Sequence, residues 1–189
     1  MNSRFQSGVT LVELLVVITI AAILMSIGVP SYKYVTTSNR VSNEINGLLG
    51  DMQFARYEAV KEGLTVQICP AATFTPPSPP PTTCTASNNW STGWIVLSNA
   101  AATNGTSIVL RRQPPFSSSN SLDVLTNNAG TAPLSFNREG FASGLGAVDV
   151  FSLHDPNSIS SYTRCLMVGV SGVLSTALNN VQVLGQTCS

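Results

Sequence analysis

Few residues of this 189-residue chain could do chemistry, and their spacing argues against catalysis. The single histidine, His154, stands in Leu-His-Asp-Pro-Asn, a loop composition that nominates neither a nucleophile nor a substrate partner. Asp123, Glu139, Asp149 and Asp155 are scattered, without the spacing of an acid–base pair. No G-x-S-x-G, P-loop, G-x-G-x-x-G or H-E-x-x-H pattern occurs. Cys69, Cys84, Cys165 and Cys188 contain no C-x-x-C pair, and one histidine gives a four-ligand zinc site little support. We therefore expect no enzyme, no metal and no cofactor.

An even number of cysteines fits disulfides in an oxidising compartment. Four cysteines allow three connectivities. We favour Cys69–Cys84 and Cys165–Cys188, because each pair links a strand to a nearby flexible stretch. A closed loop of about 15 residues contributes up to about 3 kcal/mol in the chain-entropy model. The run Thr-Pro-Pro-Ser-Pro-Pro-Pro at 75–81 then lies inside the first loop and reads as stiff surface chain rather than a polyproline ligand. Arg111 and Arg112 are neighbours on an expected strand, so they face opposite sides and form no patch; both are expected in solvent.

One charged residue stands out. Residues 9–29, VTLVELLVVITIAAILMSIGV, are predominantly apolar and carry one charge, Glu13. A helix of that length covers roughly 30 Å, one bilayer core. A carboxylate there costs about 2.5–3.5 kcal/mol and so needs a partner or a task. No basic residue lies between Arg4 and Lys33. An α-amine created by cleavage after Gly8 would serve, and a missing side chain lets a protease approach the backbone closely. Arg4 keeps the extreme N-terminus cytoplasmic, which places the rest of the chain outside the membrane on the far side. A secretory signal peptide fits poorly, since the end of the run lacks a small-x-small cleavage site.

Lys plus Arg and Asp plus Glu each number nine, which argues against a strongly basic nucleic-acid binder. Only 10% of residues are charged, against about 25% in a typical soluble domain. The 24 Ser, 18 Thr and 15 Asn supply the missing polarity. With 43% hydrophobic residues the chain can pack a core, which excludes intrinsic disorder.

SGVTLVELLVVITIAAILMSIGVP resembles the class III signal of type IV pilins and type II secretion pseudopilins. The resemblance implies that a prepilin peptidase cuts after Gly8 and methylates the new amine on Val9. Glu13 becomes mature residue five, and Pro30 falls where such helices bend. Phe is usual at the first mature position, and Val9 departs from it.

Beyond Pro30 the helical pattern resumes. Val41, Ile45, Leu48, Met52, Ala55 and Ala59 form one apolar stripe, with Gly63 as the expected C-terminal stop. Arg40, Glu44, Asp51, Glu58 and Lys61 fall off the stripe and are expected to stay wet. A helix of about 50 residues, interrupted or bent at Pro30, follows. After residue 63 short β-branched runs at 64–69, 93–98, 106–112, 122–126, 132–136, 147–153, 165–170 and 181–184 predict strands. The fold class is α+β: a long N-terminal helix, half membrane and half amphipathic, packed against a small antiparallel β-sandwich. Its segments are a leader at 1–8, an assembly helix at 9–35 and a periplasmic domain at 36–189.

LLGDMQFARYEAVKEGLTVQIC, GWIVL, IVLRR, SFNREGF and RCLMVGVSGVLST resemble the GspH/FimT family of minor pilins and pseudopilins, most of all its FimU-type members. The resemblance implies a minor pilin incorporated near the tip of a type IV pilus, where it helps prime assembly. Its partners would be other minor pilins, major pilin subunits and prepilin peptidase. It would reside in the inner membrane with its domain in the periplasm, and then in the surface fibre. A type II secretion pseudopilin is the alternative. DNA-binding members carry a Gly-Arg-x-Arg element, and the matching place here is Gly172-Val173-Leu174-Ser175, without either arginine. DNA is therefore not an expected partner.

Overall fold

The computed structural model describes residues 9–72, 79–98, 107–116, 123–128, 130, 133–145 and 147–189. Gly8 with the rest of the leader, and residues 75–78 of the proline run, lie outside the described residues. So do Thr106, Leu122 and Ala132, expected as the first residues of three strands. The chain divides into two units, Met1–Ser38 and Asn39–Ser189.

The helix α1 runs Leu11–Glu62 and is common to both units. It starts at Thr10, whose Oγ1 accepts from the Glu13 backbone N–H at 3.2 Å. Thr-x-x-Glu is the capping-box spacing, and Glu13 in the first turn complements the helix dipole. Thr19 and Ser26 turn their hydroxyls back onto the carbonyls of Val16 and Ile23, so both donors are satisfied within the helix. Pro30 lies inside the helix, which continues through it without interruption. Gly63, at φ +66°, takes the left-handed conformation that ends the helix.

In the second unit, strand β1 is Val66–Pro70, β2 Trp94–Ser98, β3 Ile108–Gln113, β4 Val124–Asn127, β5 Leu134–Phe136, β6 Ala142–Ser143 and β7 Val148–His154. Then come β8 Arg164–Gly169, β9 Leu174–Leu178, β10 Gln182–Val183 and β11 Gln186–Thr187. One sheet has the order β3-β2-β1-β5-β6, the other β4-β7-β8-β9, and β10-β11 form a small ribbon. All pairs are antiparallel.

The six stripe residues of α1 are the buried residues of that helix. They share a core with Ile68, Trp94, Val96 and Phe136 of the first sheet and with Leu125, Phe151, Leu166 and Val168 of the second. Both sheets thus bury one face against the helix stripe. Their outer faces are covered as well. In β8, Leu166 and Val168 face the helix while Cys165 and Met167 face outward, yet all four are buried. Cys188 lies on that outer face and bonds Cys165. On the first sheet, Cys69, Ile95 and Leu97 face outward, and Cys84 bonds Cys69. Each disulfide clips a non-strand segment over an outer face, which explains why β2 and β8 read as unbroken apolar runs.

Three readings of the sequence need correction. The segment Leu174–Leu178 was not expected as a strand, yet it pairs with β8 over five residues as β9. Its composition, Leu-Ser-Thr-Ala-Leu, carries weak strand propensity, and pairing supplies what propensity does not. His154 is the last residue of β7 rather than a loop residue, and its Nδ1 lies 3.2 Å from Thr163 Oγ1. The expected strand at 181–184 is a hairpin: β10 ends at Val183, and Leu184 and Gly185 turn with positive φ into β11.

Candidate functional site

Two sets of residues could carry function: the apolar segment around Glu13 in the first unit, and the polar groups that tie α1 to the sheets in the second.

In the first unit the side chains from Leu11 to Val29 that are large and apolar stand exposed, Leu11 at 81% and Ile27 at 68%. None of the most apolar stretch of that helix is buried. This is a single N-terminal apolar helix of a length that fits a membrane anchor. Glu13 interrupts it one turn from its start.

In the second unit, Arg40 donates to both oxygens of Asp123, from Nε and Nη2 at 2.8 Å each. Asp123 is fully buried. Hydrogen bonding to Asp123 raises the Arg40 pKa further. One turn along the helix sits Glu44, half-buried, with Oε2 shielded from water and unpartnered. Burial pushes its carboxyl up to about 8, and a hydrogen bond with Asp123 and that group's charge act in the same direction, against Arg40. Two carboxyl groups share a hydrogen bond only when one of them holds a proton. At neutral pH that proton is on Glu44.

Asp51 makes the second tie. It accepts from Trp94 Nε1 at 2.8 Å and from Arg111 Nη1 at 3.0 Å. Arg111 also stacks over the Phe54 ring, 3.7 Å from its centre. The exposed Arg111 therefore straps edge strand β3 to the helix, while Arg112 turns the other way and donates to the Pro81 carbonyl. Arg56 makes the third tie, donating from Nε to the Gly140 carbonyl at 3.0 Å.

The expectation that Arg40, Glu44 and Asp51 stay in water is thus overturned. A signal was present: each immediately precedes a stripe residue, at 41, 45 and 52. That offset places them along one margin of the buried stripe, where both sheets can reach them. Glu58 precedes stripe residue 59 in the same way and is also largely shielded, its side chain 14% exposed, while its partner Lys61 stays half exposed.

Among the described residues, His154 meets Thr163 and is brought together with no acid–base partner set. Asp155 accepts from the backbone N–H groups of Asn157 and Ile159 and so organises its own turn. Asp149 is buried and accepts from Asn127 Nδ2 at 3.2 Å. Among the described residues no group of three or more His, Cys, Asp or Glu could hold a metal ion. At Gly172, φ is +75°, and a Cβ there would collide with the Gly140 carbonyl oxygen and crowd Arg56. The turn between β8 and β9 therefore rests directly on the Arg56 guanidinium.

Comparison with known proteins narrows the family. The family described as type II transport protein GspH matches residues 44–172, and the prokaryotic N-terminal methylation motif matches residues 3–29. Among solved structures, the type IV minor pilin FimU of Pseudomonas aeruginosa PAO1 in space group P21 is similar, with a TM-score of 0.52 at 15% identity. The match covers 82% of this chain and 96% of that one. The same protein in space group P65 matches with a TM-score of 0.49 at 16% identity, over 78% and 94% of the two chains. The likeness to the P21 structure establishes a shared pilin-like fold. No curated protein matches the chain.

Proposed function

Because the chain belongs to the GspH family and carries the prokaryotic N-terminal methylation motif, we propose that it is a minor pilin, incorporated near the tip of a type IV pilus to help prime assembly. Its fold and family are those of pilin-like structural proteins rather than enzymes. The observation that carries the reading is the methylation motif at 3–29 joined to a pilin-type globular unit in one chain.

The mechanism is packing. A prepilin peptidase cuts after Gly8 and methylates Val9. Until assembly the apolar helix holds the subunit in the inner membrane, with the globular unit in the periplasm. On assembly the helix leaves lipid for a bundle of like helices. Glu13 then meets the N-terminal amine of a neighbouring subunit, and that pair sets axial register, since a lone carboxylate in an apolar bundle is costly. Pro30 removes one backbone donor from the helix and gives it a place to adjust to its neighbours. Other minor pilins and major pilin subunits are the partners.

The family's description, a type II transport protein, favours a second reading as a pseudopilin of a secretion system. Deleting the gene and measuring pilin in the sheared surface fraction, with a complemented control, separates the two. Loss of surface pilin restored by complementation supports the pilus. Normal piliation with defective secretion supports the pseudopilus.

A further inference from the structure

Strand β9 is an edge of its sheet, and beside it runs α1. Leu174, Thr176 and Leu178 lie opposite Val168, Leu166 and Arg164 of β8. Leu166 and Val168 belong to the core against α1, so these three β9 residues face the helix side while Ala177 faces the outer cluster of Cys165, Met167 and Cys188. The helix does not reach far enough to cover them: Leu178 is 56% exposed. What remains is a groove between β9 and the helix. A cavity of about 220 Å³ lies at one end, lined by Ser42, Asn46, Arg164, Thr176 and Leu178 among others. A cavity of about 590 Å³ lies at the other, lined by Gln53, Arg56, Tyr57, Val60, Val173 and Leu174.

We propose that this groove binds an extended acidic polypeptide segment of another protein, added to the free edge of β9 as a fifth strand. Two features select that occupant. The first is the edge itself. Among the described residues, the backbone of Leu174–Thr176 pairs only with β8, and the strand carries none of the prolines or charges that usually blunt an edge. An extended chain satisfies such an edge by strand addition. The second is charge. One arginine lines each cavity, Arg164 at one end and Arg56 at the other, and no acidic residue lines either. Carbonyls hold both guanidiniums in place, Gly140 for Arg56, and Ser161 and Thr163 for Arg164.

The register makes the occupant more specific. Arg164 lies opposite Leu178, and Arg56 lies against Gly172. Leu178 ends β9 and Gly172 lies in the turn that precedes it, so the two arginines stand at opposite ends of the strand. An acidic side chain toward each end of the added segment meets one of the two arginines. This inference concerns the globular unit and does not depend on the role of the membrane helix.

The test uses the full chain in detergent micelles and a phage-displayed library of random nonapeptides. Selection should enrich alternating β-branched sequences with an acidic residue toward each end. A synthetic peptide of the enriched sequence should bind at least tenfold more weakly to Leu178→Glu, and should bind Leu178→Lys as well as the unmodified protein. Arg164→Gln should also weaken it, and intact thermal melts should show that each variant folds. No enrichment over empty micelles, enrichment of basic peptides or of helically spaced acids, or equal binding to Leu178→Glu would each overturn the proposal.

Discussion

Replacing Glu44 by Gln should stabilise the protein at alkaline pH and leave it unchanged near pH 5. The carboxyl ordinarily titrates near 4.5 and in the folded chain is pushed up to about 8. Between those values the folded state holds a proton that the unfolded state has released. Stability therefore falls as pH rises from about 4.5 to about 8, and this contribution levels off above. A fully shielded carboxyl moved that far would lose about 5 kcal/mol over the interval. Glu44 is half-buried and water screens it, so we expect about 1–2 kcal/mol. Gln keeps the shape and the donor toward Asp123 but cannot ionise. Trp90 and Trp94 are both buried, so their fluorescence reports unfolding of this unit in urea. Measured from pH 5 to 9 on the full chain in micelles, the two stability curves should coincide at pH 5 and separate by pH 8.5, with the variant above. Other titrating groups cancel in the difference. Parallel curves, or a variant less stable at pH 8.5, would refute the argument that Glu44 is neutral in the folded protein.

Gly172→Ala should destabilise by about 2 kcal/mol or more, since it strains a left-handed backbone and drives a Cβ into the Gly140 carbonyl. Gly185, also at positive φ but with open space around it, should tolerate alanine better, and urea midpoints compare the two. Cys188→Ser with Cys165→Ser should cost about 3 kcal/mol and expose Met167 on the outer face of β8; reduced thermal midpoint and faster proteolysis after Leu178 would register both effects. Glu13→Ala should sharply reduce incorporation into fibres while leaving membrane insertion intact; undiminished incorporation in the sheared fraction would remove Glu13 from the assembly mechanism.

Periodicity was enough to identify the α1 stripe residue by residue, because a 3.6-residue repeat has one low-energy way to bury itself. The apolar run with its single carboxylate was equally legible, since a bilayer sets the length of such a helix through its own thickness. Strands β2 and β8 announced themselves by continuous apolar runs, as strands buried on both faces do, and β1 and β7 by short β-branched runs. The rest awaited the tertiary structure. Propensity does not mark β9, whose five residues become a strand only because β8 offers a ladder. Three pairings of the cysteines were open on counting alone, and the outer faces of the two sheets decide between them. Arg40, Glu44 and Asp51 look like surface charges on a helical wheel. They are ties because the sheets curve over one margin of the stripe and bring Asp123, Trp94 and Arg111 to them across 43 to 83 residues of chain. A sequence records which side of a helix is apolar. How far a neighbouring sheet wraps around that side, and so which charges lose their water, is set only when the chain has closed on itself.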